Sequence, residues 1–105
     1  MANIIKTNQF RGQVEEQKGI VVVDFFATWC APCKMLAPIF DNASRHFDGR
    51  AEFLKIDIDS SLEIARQFNV STIPTIIIFK DGKPVKSMVG FIPKEKLIKI
   101  INSYM

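Results

Sequence analysis

The chain has 105 residues, of which 48% are hydrophobic and 24% charged, with a formal net charge of +3. This length predicts a single domain over residues 1–105, and the composition excludes intrinsic disorder. No apolar stretch approaches the roughly 20 residues that a membrane span needs, and no signal sequence opens the chain, so we expect a cytoplasmic protein without a membrane partner.

The first part of the chain predicts a strand, a helix and a buried strand. Residues 4–5 are a short apolar strand. Phe10 and Val14, four positions apart, mark one face of a helix that ends near Gly19. The apolar and largely β-branched or aromatic run 20–27 is typical of a strand buried on both faces of a sheet.

The middle of the chain predicts a second helix, a third strand and a third helix. Apolar positions recur at helical spacing from Pro32 to Phe47, and proline is favourable in a first helical turn. Residues 53–58 form the third predicted strand. The sequence Ser60-Ser61-Leu62-Glu63 is a capping-box signature for the next helix.

The last part predicts a hairpin and a final helix. Strands at 75–79 and 85–89 flank Asp81-Gly82, a strong hairpin signal. Core positions of the final helix follow at i, i+3, i+4 and i+7: Leu97, Ile100, Ile101 and Tyr104. The order of elements predicts an α/β fold in which a mixed sheet has helices on both faces and an antiparallel hairpin at one edge.

The positive charge is concentrated near the C-terminus. Residues 1–79 carry 8 Lys/Arg and 9 Asp/Glu, whereas residues 80–105 carry 6 lysines and 2 acids. A nucleic-acid patch would explain this excess, but no arginines alternate with aromatic residues there. We therefore expect a solvated face and no nucleic-acid partner.

The two cysteines, Cys30 and Cys33, are the main chemical signal. A disulfide between them closes a four-residue loop and contributes only about 2 kcal/mol by chain entropy, so a structural role is weak. They fall where a buried strand ends and a helix begins, and there the free N–H groups and the helix dipole favour a thiolate. Because Cys33 points towards the core, we expect it to be the less exposed of the two. The hypothesis is that Cys30 attacks a disulfide of another protein and Cys33 resolves the mixed disulfide.

Asp24 is a carboxylate inside the apolar second strand, so its pKa is expected to rise. Either it faces a gap or solvent, or it accepts the proton of the Cys33 thiol through water or a small motion. Lys55 in the neighbouring strand is a candidate partner for it. Pro74 at the start of a strand needs no special role, although a cis bond there would free the Ile73 backbone to pair with an extended substrate.

A zinc site is the main competing interpretation. Twelve residues separate Cys33 from His46, which matches part of a zinc-finger spacing, but the second histidine is absent. A Cys–His hydrolase is excluded because His46 would lie roughly four helical turns from Cys30. We therefore predict no metal site and a surface position for His46.

The chain resembles the thioredoxin family over essentially its whole length. The resemblance rests on residues 23–34 (VDFFATWCAPCK), 37–38, 55–57, 73–75, 81–82 and 89–90. It implies a mixed five-stranded sheet flanked by four helices. It further implies that Cys30 attacks, that Cys33 resolves, that Asp24 is a buried carboxylate with Lys55 beside it, and that the bond before Pro74 is cis.

The resemblance also implies a flat apolar surface that binds substrate proteins. That surface comprises Trp29, Ala31, Pro32, Ile73, Pro74, Val89, Gly90 and Phe91. The implied activity is reduction of protein disulfides by a monomer that binds no cofactor. Its electrons would come from NADPH through a flavin-dependent thioredoxin reductase.

Two residues depart from the family pattern. Ala31 stands where glycine is most frequent, which can shift the reduction potential, and Phe26 stands where tryptophan is common. A thiol oxidase or isomerase on the same fold, and a redox-sensed binding module, remain as alternatives.

Overall fold

The computed structural model describes residues 2–105, and its centre is one mixed sheet. Its strands, in the order β1-β3-β2-β4-β5, are β1 (Asn3–Ile5), β2 (Ile20–Phe26), β3 (Ala51–Asp57), β4 (Thr75–Lys80) and β5 (Lys83–Val89). The β1–β3 and β2–β3 pairs are parallel, whereas the β2–β4 and β4–β5 pairs are antiparallel. The five strands and the mixed pairing confirm the predicted fold.

Within residues 2–105, four helical segments cover the sheet. They are α1 (Thr7–Phe10), which continues as a π-helical segment (Arg11–Glu15), α2 (Ala31–His46), α3 (Leu62–Gln67) and α4 (Lys94–Asn102). α2 continues through Pro38 without ending there. None of these helices, within the described part of the chain, is both long and apolar enough to cross a membrane.

Side chains of β2 alternate between two cores, because successive residues of a strand point to opposite faces. Val21, Val23 and Phe25 pack in a cluster with residues of α1 and α3. Val22 points to the other cluster, which is built on α2 and α4. Asp24 is two positions after Val22, so its side chain points to the same face, and its carboxylate lies on the α2 side of the sheet.

The predicted capping box of α3 is wrong. The helix begins at Leu62, its N-cap is Ser61, and the Ser61 side chain makes no capping hydrogen bond. The Ser61 hydroxyl is instead fully buried and without a partner among residues 2–105. The preceding turn shifts the start of the helix by one residue, because the Ser61 N–H donates to the Asp57 carbonyl at 2.9 Å.

The predicted hairpin is confirmed. Asp81 and Gly82 connect β4 to β5 with φ angles of 52° and 82°, as a two-residue turn with positive φ at both positions requires. A Cβ atom at Gly82 would collide with the carbonyl oxygen of Glu15. The Asp81 carboxylate accepts a hydrogen bond from the Gly19 N–H at 2.8 Å, which ties the turn to the start of β2.

Candidate redox site

Cys30 lies at the N-cap of α2, where the sequence predicts it. Its backbone is extended (φ −93°, ψ 113°), and its Sγ accepts a hydrogen bond from the Cys33 N–H at 3.2 Å. The first turn of α2 carries no acidic residue that would oppose a negative charge on this sulfur. The otherwise unpaired N–H groups of the helix start and its dipole therefore both favour a thiolate at Cys30.

Cys30 and Cys33 form a disulfide, with their Cα atoms 5.2 Å apart. Both residues are buried, with exposed fractions of 5% and 4%, so the predicted difference in exposure is negligible. They form a small cluster with Ala27, and Ile73 packs against it. Exposure therefore does not distinguish the two sulfurs, whereas the hydrogen bond at the N-cap is made to the Cys30 sulfur.

The bond between Ile73 and Pro74 is cis, as the resemblance implies. The Ile73 carbonyl oxygen lies 3.9 Å from the Cys30 Sγ. On its other side, the Pro74 carbonyl accepts a hydrogen bond from the Gly90 N–H at 2.8 Å. These contacts bring the loop before β4 and the loop after β5 next to the cysteines.

The predicted substrate-binding residues surround the disulfide but differ in exposure. Trp29 and Val89 are the most open, at 67% and 64%. Ala31, Pro32 and Phe91 are also exposed, Ile73 and Gly90 are half-buried, and Pro74 is buried. An apolar surface beside a redox pair is a feature of protein-binding sites, since monomers rarely leave large apolar patches uncovered.

Two further residues at this site are not evident from the sequence. The indole N–H of Trp29 donates to the Asp59 carboxylate at 2.7 Å, which restrains the orientation of the ring. Met35 is exposed one turn beyond Ala31 on α2 and extends the apolar area. A pattern of residue types could not reveal Asp59, because it belongs to a different loop, 30 positions away.

The Asp24 carboxyl group is fully buried, and neither of its oxygens has a hydrogen-bond partner within residues 2–105. Desolvation by burial raises its pKa from 3.8 to about 7. The charge of Lys55 opposes this rise in pKa, and the charge of Asp41 on α2 adds to it. The expected increase in pKa is confirmed, and the group can exchange a proton near neutral pH.

Lys55 lies opposite Asp24 in the register between β2 and β3, yet it makes no ion pair with Asp24 within the described residues. Its Nζ lies over the Phe26 ring, 4.7 Å from the centroid. Phe26 is two residues beyond Asp24 on the same strand, so its ring and the carboxylate point to the same face. The predicted partners are neighbours, but the ammonium group sits on an aromatic ring instead of on the carboxylate.

Replacing Phe26 is therefore expected to lower the pKa of Asp24. In a Phe26→Leu variant the ammonium group of Lys55 loses its aromatic contact, worth about 0.5–1 kcal/mol at a partly open site, and moves closer to the carboxylate. The expected decrease is up to about one pKa unit, measured by NMR titration of the carboxyl carbon. Phe26→Tyr, which keeps the ring, should leave the pKa near that of the parent.

The control for this prediction is the Phe26→Leu substitution made in a variant that lacks the Lys55 charge. In a Lys55→Met background, Phe26→Leu should hardly alter the pKa of Asp24. An equal decrease in that background would show that the substitution acts by admitting water, and the inferred competition between ring and carboxylate would be discarded.

His46 is exposed at the end of α2, as predicted. Within the described residues there is no group of three or more His, Cys, Asp or Glu side chains that could hold a metal ion. The half-matching zinc-finger spacing in the sequence thus corresponds to a disulfide and a surface histidine.

Comparisons with known proteins agree with this geometry. The thioredoxin family model matches residues 2–103. The chain is 43% identical to a thioredoxin of Staphylococcus haemolyticus and 44% identical to one of Staphylococcus saprophyticus. Each match spans 102 residues, 97% of this chain and 98% of the relative. The chain therefore belongs to the thioredoxin family of thiol–disulfide oxidoreductases, and its Cys30–Cys33 pair fits the active site of that family.

Proposed function

We propose that this protein reduces disulfide bonds of other proteins, with Cys30 as the nucleophile and Cys33 as the resolving thiol. The observation that carries this assignment is the hydrogen bond from the Cys33 N–H to the Cys30 Sγ at the start of α2. A sulfur that accepts a hydrogen bond from an N–H group at a helix N-terminus is stabilised as an anion, and the thiolate is the reactive form of cysteine.

The reaction takes two exchange steps. In the first, the Cys30 thiolate attacks one sulfur of the target disulfide, a bond forms between them, and the other target sulfur leaves as a thiolate. In the second, the Cys33 thiolate attacks the Cys30 Sγ and releases the remaining target thiolate. The target gains two electrons, the dithiol loses two, and the product is the Cys30–Cys33 disulfide seen in the structure.

Asp24 is proposed to accept the proton of Cys33 before the second step. A base works best when its pKa is close to the working pH, and burial brings the pKa of Asp24 to about 7. Its oxygens have no hydrogen-bond partner in residues 2–105, so the proton would pass through water or a small motion. Lys55, whose ammonium group lies over the Phe26 ring, is proposed to limit the rise in the pKa of Asp24.

Target proteins are proposed to bind on the apolar surface around the disulfide. This substrate surface consists of the residues the sequence singles out, namely Trp29, Ala31, Pro32, Ile73, Pro74, Val89, Gly90 and Phe91. The Gly90–Pro74 hydrogen bond holds its two loops together, which keeps the surface pre-shaped. The Ile73 carbonyl, 3.9 Å from the Cys30 Sγ, is proposed to accept a hydrogen bond from an extended target backbone.

The proposed electron source is NADPH, through a flavin-dependent thioredoxin reductase that binds the same surface. We further propose that the protein works as a monomer in the cytoplasm, where NADPH-driven reduction keeps thiols reduced. Two sulfurs suffice for the exchange chemistry, so the proposal requires no bound cofactor.

The test is insulin reduction by the purified protein with NADPH and a bacterial thioredoxin reductase. We expect continuous turnover and a reduction potential more negative than about −230 mV, the range of reducing dithiols. An oxidising potential would instead support a thiol oxidase or isomerase. Binding of targets without turnover would support a redox-sensed binding module.

A further inference from the structure

A shallow cleft of about 260 Å³ lies between the end of β5 and α4, beside the cysteine site. It shares residues 89–91 with the substrate surface, and its other lining residues include Lys86, Met88, Lys96 and Ile100. A polypeptide bound on the substrate surface could therefore extend directly into this cleft.

The fold gives the cleft an apolar floor and a cation on each wall. Lys86 and Met88 are two positions apart on β5 and point to the same face. Lys96 and Ile100 are four positions apart on α4 and share one side of that helix. Met88 and Ile100 pack against the core, whereas Lys86 and Lys96 are exposed.

No carboxylate opposes these two lysines among the described residues that line the cleft. The two acids of residues 80–105 lie elsewhere, since Asp81 binds the Gly19 N–H at the hairpin and Glu95 is not among the lining residues. Part of the C-terminal positive charge is thus gathered at one concave site that adjoins the substrate surface.

We propose that this cleft binds an acidic segment of the target protein next to the disulfide that is reduced. An extended segment with aspartate or glutamate side chains fits the two ammonium groups, and an apolar side chain between them fits the Met88–Ile100 floor. The proposal rests on the proposed function, because it presupposes that a target occupies the substrate surface. It makes Lys86 and Lys96 residues that set substrate preference.

The test compares three peptides that contain the same disulfide, flanked on one side by aspartates, asparagines or lysines. The rate constant for their reduction by the dithiol form is measured at low and high salt. Two exposed charge pairs contribute about 0.5 kcal/mol each, so the acidic peptide should react roughly fivefold faster than the neutral one. The advantage should decline as salt screens the charges.

The Lys86→Gln/Lys96→Gln double variant should lose this preference while reducing the neutral peptide at the parental rate. The matched control is Lys80→Gln/Lys83→Gln, which removes the same charge at the far end of the same hairpin, where these two residues face each other. That control should retain most of the preference.

Equal rates for the acidic and neutral peptides would overturn the proposal, as would an equal loss of preference in the control, which would indicate an effect of net charge. Failure to reduce any of the peptides would instead remove the proposed function itself. A second copy of this chain in the cleft would appear as a dimer that the Lys86→Gln/Lys96→Gln variant abolishes, and it would also overturn the proposal.

Discussion

A Cys33→Ser variant is expected to accumulate a covalent adduct with oxidised protein substrates and to lose turnover. Cys30 keeps its position at the N-cap of α2 and can still attack, because the N–H that its sulfur accepts belongs to the backbone of residue 33. Without the second sulfur, the mixed disulfide has no internal route to release. We expect turnover to fall by roughly 10³-fold or more, the scale of losing an essential catalytic group.

The measurement is non-reducing electrophoresis and mass spectrometry after mixing the variant with oxidised insulin. The matched control is Cys30→Ser, which should give neither adduct nor turnover. Adducts on Cys30→Ser but not on Cys33→Ser would reverse the assigned order of attack. This control is needed because the two cysteines are almost equally buried, and exposure alone does not assign their roles.

The Asp24→Asn variant is expected to be more stable than the parent at alkaline pH and similar to it at acidic pH. The pKa of Asp24 rises from 3.8 to about 7 on folding, so the folded protein binds this proton more tightly than the unfolded chain does. The stability conferred by the neutral carboxyl group is complete below pH 3.8 and is lost as the pH rises through about 7. The total loss is about 4 kcal/mol, since each pKa unit corresponds to about 1.4 kcal/mol.

The neutral carboxyl group and the asparagine amide would both be buried without a partner, so the expected gain near pH 8.5 is close to that loss, roughly 3–4 kcal/mol. Urea unfolding of the oxidised proteins near pH 4 and pH 8.5 measures it. Asp41→Asn is the control, because it removes a charge that raises the pKa of Asp24 without removing the titrating group. Parallel stability curves for Asp24→Asn and the parent would contradict a raised pKa in the native protein.

Asp24→Asn should also slow the second exchange step more than the first. Loss of a positioned base typically costs 10²-fold or more, and transfer through water places the expected effect at roughly 10- to 100-fold. Stopped-flow single-turnover reactions separate formation of the mixed disulfide from its resolution. Equal slowing of both steps would remove Asp24 from the proton transfer.

Local sequence patterns were sufficient to predict the features that depend on residues close together in the sequence. The buried run that becomes β2 and the Asp81-Gly82 turn follow from residue types alone. The position of Cys30 at a helix start follows from the junction of a buried strand and an amphipathic helix. The burial of Asp24, and hence its raised pKa, follows from its apolar flanks.

The remaining features depend on contacts between distant segments. The Trp29–Asp59 hydrogen bond joins two loops, and the Lys55–Phe26 contact depends on how side chains of adjacent strands are arranged. Residues 11–15 are π-helical although their apolar spacing is also compatible with an ordinary helix. The capping box predicted at Ser60 does not form, because the preceding turn sets the backbone so that the helix begins one residue later, with Ser61 as its N-cap.

β2 is the middle strand of the five, with β3 and β4 hydrogen-bonded along its two sides. It carries Asp24 and leads within four residues to Cys30. Releasing the outer strand β1, which pairs with β3, breaks no hydrogen bond of β2 and leaves the Gly90–Pro74 hydrogen bond of the substrate surface intact. Local opening of β1 therefore leaves the support of the Cys30–Cys33 pair in place. That pair follows the central strand β2, where local opening costs the most free energy.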